Sequence, residues 1–200
     1  MRLLASPTSP YARKARIVAL EKGLMDRLAV EMLNPFEDGA RLAAVNPLGK
    51  VPALLLDSGK VLFDSGVICE YLDPLDGAPT LLPPAGPERF EALARHALAQ
   101  GVIDAAASIV MERRRPESQQ SPLWLERWAA AIARGLAALD ETVERRPNAF
   151  GLDAITTACA LGYLEFRLPD IAWPASADAL NAWWGEAKQR RSVVETDPVL

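Results

Sequence analysis

Residues 73–88, DPLDGAPTLLPPAGPE, hold five prolines in sixteen positions. Each proline fixes its own φ and donates no backbone N–H, so neither a helix nor a central strand can run through the segment; an extended, stiff connector remains. The residues on either side differ in character. Before the connector, short apolar runs alternate with turn signals; after it, alanine-rich stretches of strong helix formers take over. Two domains are therefore expected: α/β over 1–75 and all-helical over 87–200, with a proline-rich linker at 76–86.

In the first part, residues 2–5 read as a strand closed by Pro7 and Pro10, and Ser9 stands where a helix N-cap belongs, with Pro10 at the first helical position. The helix so begun is predicted over 11–24, with Gly23 as its stop. Residues 28–33 are a second strand candidate, and a polar, weakly helical stretch leads from Asn34-Pro35 to Asn46-Pro47. The apolar run 51–56 and Val61-Leu62-Phe63, joined by Asp57-Ser58-Gly59-Lys60, predict a β-hairpin. Asp64-Ser65 then caps a helix over 66–71. The order is βαβ followed by ββα. Helices are predicted in the second part over 87–115, 121–145, 154–167 and 179–188.

Two hundred residues, half of them hydrophobic, suffice for a substantial core. The net charge of -4 comes from interspersed acids and bases; without a broad basic surface, nucleic acid is not expected as a partner. Cys69 and Cys159 are too few for a disulfide framework, and no His/Cys/carboxylate cluster has the spacing of a metal site. No apolar run has bilayer-spanning length, and the apolar start is too short for a signal peptide. A cytoplasmic protein with no membrane partner is expected. The only histidine, His96, falls within a predicted helix and reads as a polar helix residue. The cysteines and most of Trp124, Trp128, Trp173, Trp183 and Trp184 read as packing groups, and Arg113-Arg114-Arg115 as a solvated helix end.

Four segments in this order and spacing resemble the cytosolic glutathione S-transferases: Ser9-Pro10-Tyr11, Asn46-Pro47-Leu48-Gly49-Lys50-Val51-Pro52, Phe63-Asp64-Ser65, and Cys159-Ala160-Leu161-Gly162-Tyr163-Leu164-Glu165-Phe166. The resemblance covers nearly the whole chain and implies a bacterial, serine-type member. The implied fold is a thioredoxin-like first domain that binds glutathione and a helical bundle that contributes the electrophile pocket. At the turn where glutaredoxin-like proteins carry Cys-Pro-Tyr-Cys, this chain has Ser9-Pro10-Tyr11-Ala12, so a mixed-disulfide relay is disfavoured.

What the resemblance implies for the site is specific. The Val51-Pro52 bond is cis and turns the Val51 backbone toward the cysteine backbone of glutathione, a minimal β-augmentation. Lys50 holds the glycyl carboxylate, the alternative being a solvated loop lysine. Ser65, at a helix start, binds the γ-glutamyl carboxylate, and Asp64 lies near its ammonium group, although capping alone would explain both residues. Ser9 accepts as a cap and donates its hydrogen to the glutathione thiolate, a stabiliser rather than a nucleophile. Thr8 competes for that role, and Asn34 is a weaker candidate contact.

The expected activity is transfer of glutathione, as co-substrate, to a small hydrophobic electrophile, a detoxifying reaction carried out by a homodimer without a metal. Two alternatives stay open: a glutathione-dependent peroxidase, dehalogenase or isomerase, or a non-catalytic scaffold of the same fold. One departure concerns the sixth helix, which the family opens with a Ser/Thr cap and an Asp three residues later. Here Gly151 and Ala154 hold those positions and Asp153 is displaced by one, at a cost of about 1 kcal/mol in the second domain.

Overall fold

The computed structural model of the chain describes residues 1–75, 79–143, 150–173 and 177–198. They group into two compact units, Met1–Leu82 with Arg191–Leu200, and Pro83–Arg190.

In the first unit, β1 (Arg2–Ala5), β2 (Ala29–Met32), β3 (Ala53–Leu55) and β4 (Val61–Phe63) form a sheet of order β2-β1-β3-β4. β1 runs parallel to β2 and antiparallel to β3, and β3 runs antiparallel to β4. The parallel pair requires a crossover, which α1 (Pro10–Glu21) supplies. The β3–β4 hairpin closes where Leu56 N–H donates to the Lys60 carbonyl, with Gly59 turning at φ +81. α2 (Gly39–Ala43) and α3 (Ser65–Leu72) complete the predicted βαβ and ββα order.

Leu4 and Ala53 pair across β1 and β3 and cluster with Leu33 and with Leu42 of α2. The period of two turns Leu3 and Leu54 to the opposite face, and both are fully buried. With both faces covered, β1 and β3 read as continuous apolar runs rather than alternating ones. α1 stops at Glu21, short of the predicted end, because Gly23 at φ +64 lets Leu24 N–H reach back to the Ala19 carbonyl at 2.8 Å.

The second unit contains α4 (Pro87–Glu112), α5 (Pro122–Asp140), α6 (Leu152–Arg167) and α7 (Asp178–Ala187). The end of the predicted 121–145 helix falls at 144–149, outside the described residues. α6 is the core element, buried from Leu152 to Leu164, and α4 packs against both α5 and α6. Gly135 of α5 makes one of these approaches possible: a Cβ there would lie 2.6 Å from Val102 Cγ2.

α6 begins with Gly151 and no side-chain cap. The displaced Asp153 instead accepts a 2.7 Å bond from Arg95 Nε of α4, both side chains largely buried. An ion pair between helices has thus replaced the local capping bond. Asp153→Asn leaves Arg95 without its counter-charge and is expected to cost about 2 kcal/mol, read as a lower urea midpoint at unchanged slope; an unchanged midpoint contradicts it.

The neighbouring Thr156 donates its hydroxyl hydrogen to the Leu152 carbonyl at 2.7 Å, so its oxygen accepts from His96, whose Nδ1 lies 2.7 Å away. His96 therefore ties α4 to α6, as a polar helix residue should. Arg113 makes a two-pronged pair with Asp170 at 3.0 and 2.7 Å, and both cysteines are buried. Trp173 and Trp184 pack inside, whereas Trp124 is half exposed and stacks on Trp128 with ring centres 5.5 Å apart.

Two features depart from the predicted division. The first unit extends to Leu82 because Asp73 accepts from the backbone N–H groups of Leu81 and Leu82 at 2.8 and 3.1 Å, and Lys22 Nζ donates to the Pro79 carbonyl. The tail, including the unpredicted helix α8 (Arg191–Val194), belongs to the first unit and not to the helical one. Among the described residues no helix is long and apolar enough to cross a membrane.

Candidate functional site

Strand directions decide where the predicted site residues meet. β1, β2 and β4 all end, and β3 begins, at the same end of the sheet. The register pairs Leu4 with Ala53 and Ala53 with Phe63; one step further sets Pro52 level with Ala5 and with Asp64, on strands about 4.8 Å apart. The turn before α1, the Val51-Pro52 peptide and the start of α3 are therefore neighbours, and Asn34 follows β2 at this end.

At α1 the chain turns through Ser6–Ser9, Ser9 N–H donating to the Ser6 carbonyl at 3.2 Å. Ser9 then caps the helix, its Oγ accepting from Ala12 N–H at 3.2 Å, with Pro10 at the first helical position. Its own hydrogen is given to no acceptor among the described residues, and neither is that of Thr8.

At α3 the cap is Asp64, whose Oδ1 accepts from Gly66 N–H at 2.7 Å and Val67 N–H at 3.4 Å. Asp64 has φ +69 and ψ 129, the one non-glycine residue with positive φ among the described residues. Such a conformation costs about 1–3 kcal/mol, which the two capping bonds offset in part. Ser65 follows at the first helical position, 3 % exposed, its hydroxyl bonded to no group among the described residues.

Between these helix starts lies the cis Val51-Pro52 bond. The loop that delivers it hangs on Asn46, a buried residue that no candidate role had singled out. Its Oδ1 accepts from Leu48 N–H at 3.0 Å, its Nδ2 donates to the Lys50 carbonyl at 2.8 Å, and Gly49 completes the turn at φ +61. The signal was the Asn-Pro-Leu-Gly sequence, an asparagine turn with a glycine at the left-handed position. Lys50 is exposed and Val51 half-buried. Asn34 is occupied by its own loop, accepting from Phe36 N–H. Among the described residues no cluster of ligating side chains could hold a metal.

The starts of α1 and α3 thus lie at one end of the sheet, each with a serine at its tip. Such an arrangement can take up anionic groups.

The chain is similar to known proteins over its whole length. Residues 8–75 match the family profile described as "Glutathione S-transferase, N-terminal domain". The uncharacterized GST-like protein YibF of Escherichia coli (strain K12) is 35 % identical over 201 residues, covering 99 % of this chain and 98 % of that one. The chain belongs to the glutathione S-transferase family. A crystal structure of a glutathione transferase family member from Pseudomonas fluorescens Pf-5 with bound glutathione superposes at a TM-score of 0.95, with 39 % identity, over 100 % of this chain and 99 % of that one. A second structure from that organism, with bound S-(propanoic acid)-glutathione, superposes at 0.92 over the full length of both chains, again at 39 % identity. The glutathione S-transferase fold expected from the sequence is the one observed.

Proposed function

We propose that this family member binds glutathione at the described sheet end and adds its sulfur to an electrophilic carbon. One observation carries the reading: the hydroxyls of Ser9 and Ser65, at the tips of α1 and α3, have no acceptor among the described residues while their helices are capped. Ser65 receives the γ-glutamyl carboxylate and Asp64 lies by the ammonium group. Lys50 pairs with the glycyl carboxylate, and the Val51 backbone pairs with the cysteine backbone. Ser9 donates to the sulfur.

In the reaction the thiol gives its proton to solvent on ionising, stabilised by the Ser9 hydroxyl and the α1 terminus. The thiolate pair forms a C–S bond, and the leaving group departs with its bonding pair or, for an activated alkene, the resulting carbanion takes a proton. The P. fluorescens relative supports this choice, since it binds both glutathione and an S-substituted glutathione. The same reading includes a homodimer and no metal.

Calorimetric titration tests it. Glutathione should bind with heat release and raise the melting temperature as its concentration rises, and sedimentation should give twice the chain mass. Absence of both heat and thermal stabilisation would overturn the proposed site.

A further inference from the structure

The tail returns to the first unit and lands on α1. Arg13, 3 % exposed, donates through Nη2 to the Val193 carbonyl at 3.0 Å and to Asp197 Oδ1 at 2.5 Å, and through Nε to Thr196 Oγ1 at 3.4 Å. Thr196 can accept because its hydrogen is committed to the Ser192 carbonyl at 2.7 Å. The guanidinium thus satisfies a carbonyl of α8 that the helix leaves open at its end. Two further ties join the same elements: Ser192 Oγ donates to Glu21 Oε1 at 2.5 Å, and Arg16 Nη2 donates to the Glu195 carbonyl at 3.3 Å.

Arg13 is also bonded to Ser9. Its backbone N–H donates to the Ser9 carbonyl at 2.9 Å, next to the Ala12 N–H that donates to Ser9 Oγ. One residue therefore holds the capping serine with its main chain and the tail with its side chain. Its Nη1 is buried with no hydrogen-bond partner among the described residues, which costs stability.

We propose that Arg13 and tail residues 191–197 form a latch that fixes the start of α1, making Arg13 a positioning residue for the Ser9 hydroxyl. Besides Arg13, α1 carries the charged residues Lys14, Arg16 and Glu21, and the tail carries Arg191, Glu195 and Asp197. Burial, and then repulsion from Arg13, hold Arg16 below its ordinary pKa. The cations are thus crowded, and Asp197 is the acid that pairs with Arg13. The latch deepens the proposed function, because Ser9 acts there as the donor to sulfur.

Amide hydrogen exchange in the ligand-free protein tests it without relying on glutathione. Asp197→Asn removes one charge from a side chain that is 68 % exposed and should leave the fold intact. It should speed exchange of the Ala12 and Arg13 amides up to about fivefold. Arg13→Met should speed the same amides about tenfold or more, and Arg13→Lys should recover part of the difference. The Leu3 and Leu4 amides should keep their parental rates in Asp197→Asn. With glutathione present, the ultraviolet thiolate band should weaken in the same order.

Parental exchange at Ala12 and Arg13 in Asp197→Asn overturns the latch, as does acceleration shared equally by Leu3 and Leu4. Should Arg13→Met fail to fold, Asp197→Asn decides alone. A parental protein that binds no glutathione overturns the proposed function instead, and exchange still judges the latch.

Discussion

Replacing Ser9 by alanine is expected to raise the thiol pKa of bound glutathione by about one to two units, because a hydrogen bond to a charged group is worth about 1.5–3 kcal/mol. At a pH well below the parental bound pKa, the thiolate fraction then falls about 10- to 100-fold. Turnover falls less. A more basic sulfur is a better nucleophile, with a Brønsted slope of about 0.4–0.5, so roughly half of the loss on the logarithmic scale is recovered and the rate drops by about four- to fifteenfold. Glutathione affinity should change little, since the proposed backbone and carboxylate contacts lie elsewhere. The helix loses its cap at about 1 kcal/mol, so the assay belongs well below the melting temperature. Thr8→Ala is the matching control: a loss there, with Ser9→Ala active, transfers the role to Thr8. Parental turnover in Ser9→Ala removes Ser9 from the chemistry.

The second large effect concerns binding. Ser65→Ala deletes the hydroxyl of a buried serine that serves no protein group among the described residues, so the apo protein should keep its stability. Asp64 still caps α3, and alanine is a good helix former at the first position. A lost bond to the γ-glutamyl carboxylate should weaken the glutathione Kd by about 10- to 100-fold. Asp64→Asn keeps an oxygen for capping and removes only an exposed charge, so its Kd should rise by no more than about fivefold. Calorimetry and thermal melts separate these outcomes. A Ser65→Ala variant that binds glutathione at the parental Kd leaves Ser65 as a residue of the α3 start and nothing more.

Local rules made the helix starts and the change of domain legible in the sequence, and the resemblance supplied the candidate site. Ser9-Pro10 announces a cap and first turn, Asp64-Ser65 another, and the prolines of 73–88 a boundary; each is decided within a few residues. The strand pairing then follows from the β3–β4 hairpin and the α1 crossover. The latch left no such trace. Arg13 lies in the Ala-Arg-Lys-Ala-Arg stretch of 12–16, which reads as polar surface, yet Arg13 and Lys14 are both buried. Arg13 owes its burial to Val193 and Asp197, 180 and 184 residues away in sequence. The exchange of the α6 capping bond for Arg95–Asp153 escaped notice for the same reason, since a pair spanning 58 residues has no periodicity to detect. Asn46 was in view within a motif, but its task of holding the Lys50 carbonyl shows only in three dimensions.

Ultraviolet titration of glutathione bound to the parental protein measures directly whether the α1 terminus acidifies sulfur. The thiol should ionise about one to two units below the value of about 8.5 for a free cysteine, and the shift should shrink in Ser9→Ala. A bound thiol that ionises at the same pH as glutathione in buffer would contradict the proposed role of Ser9.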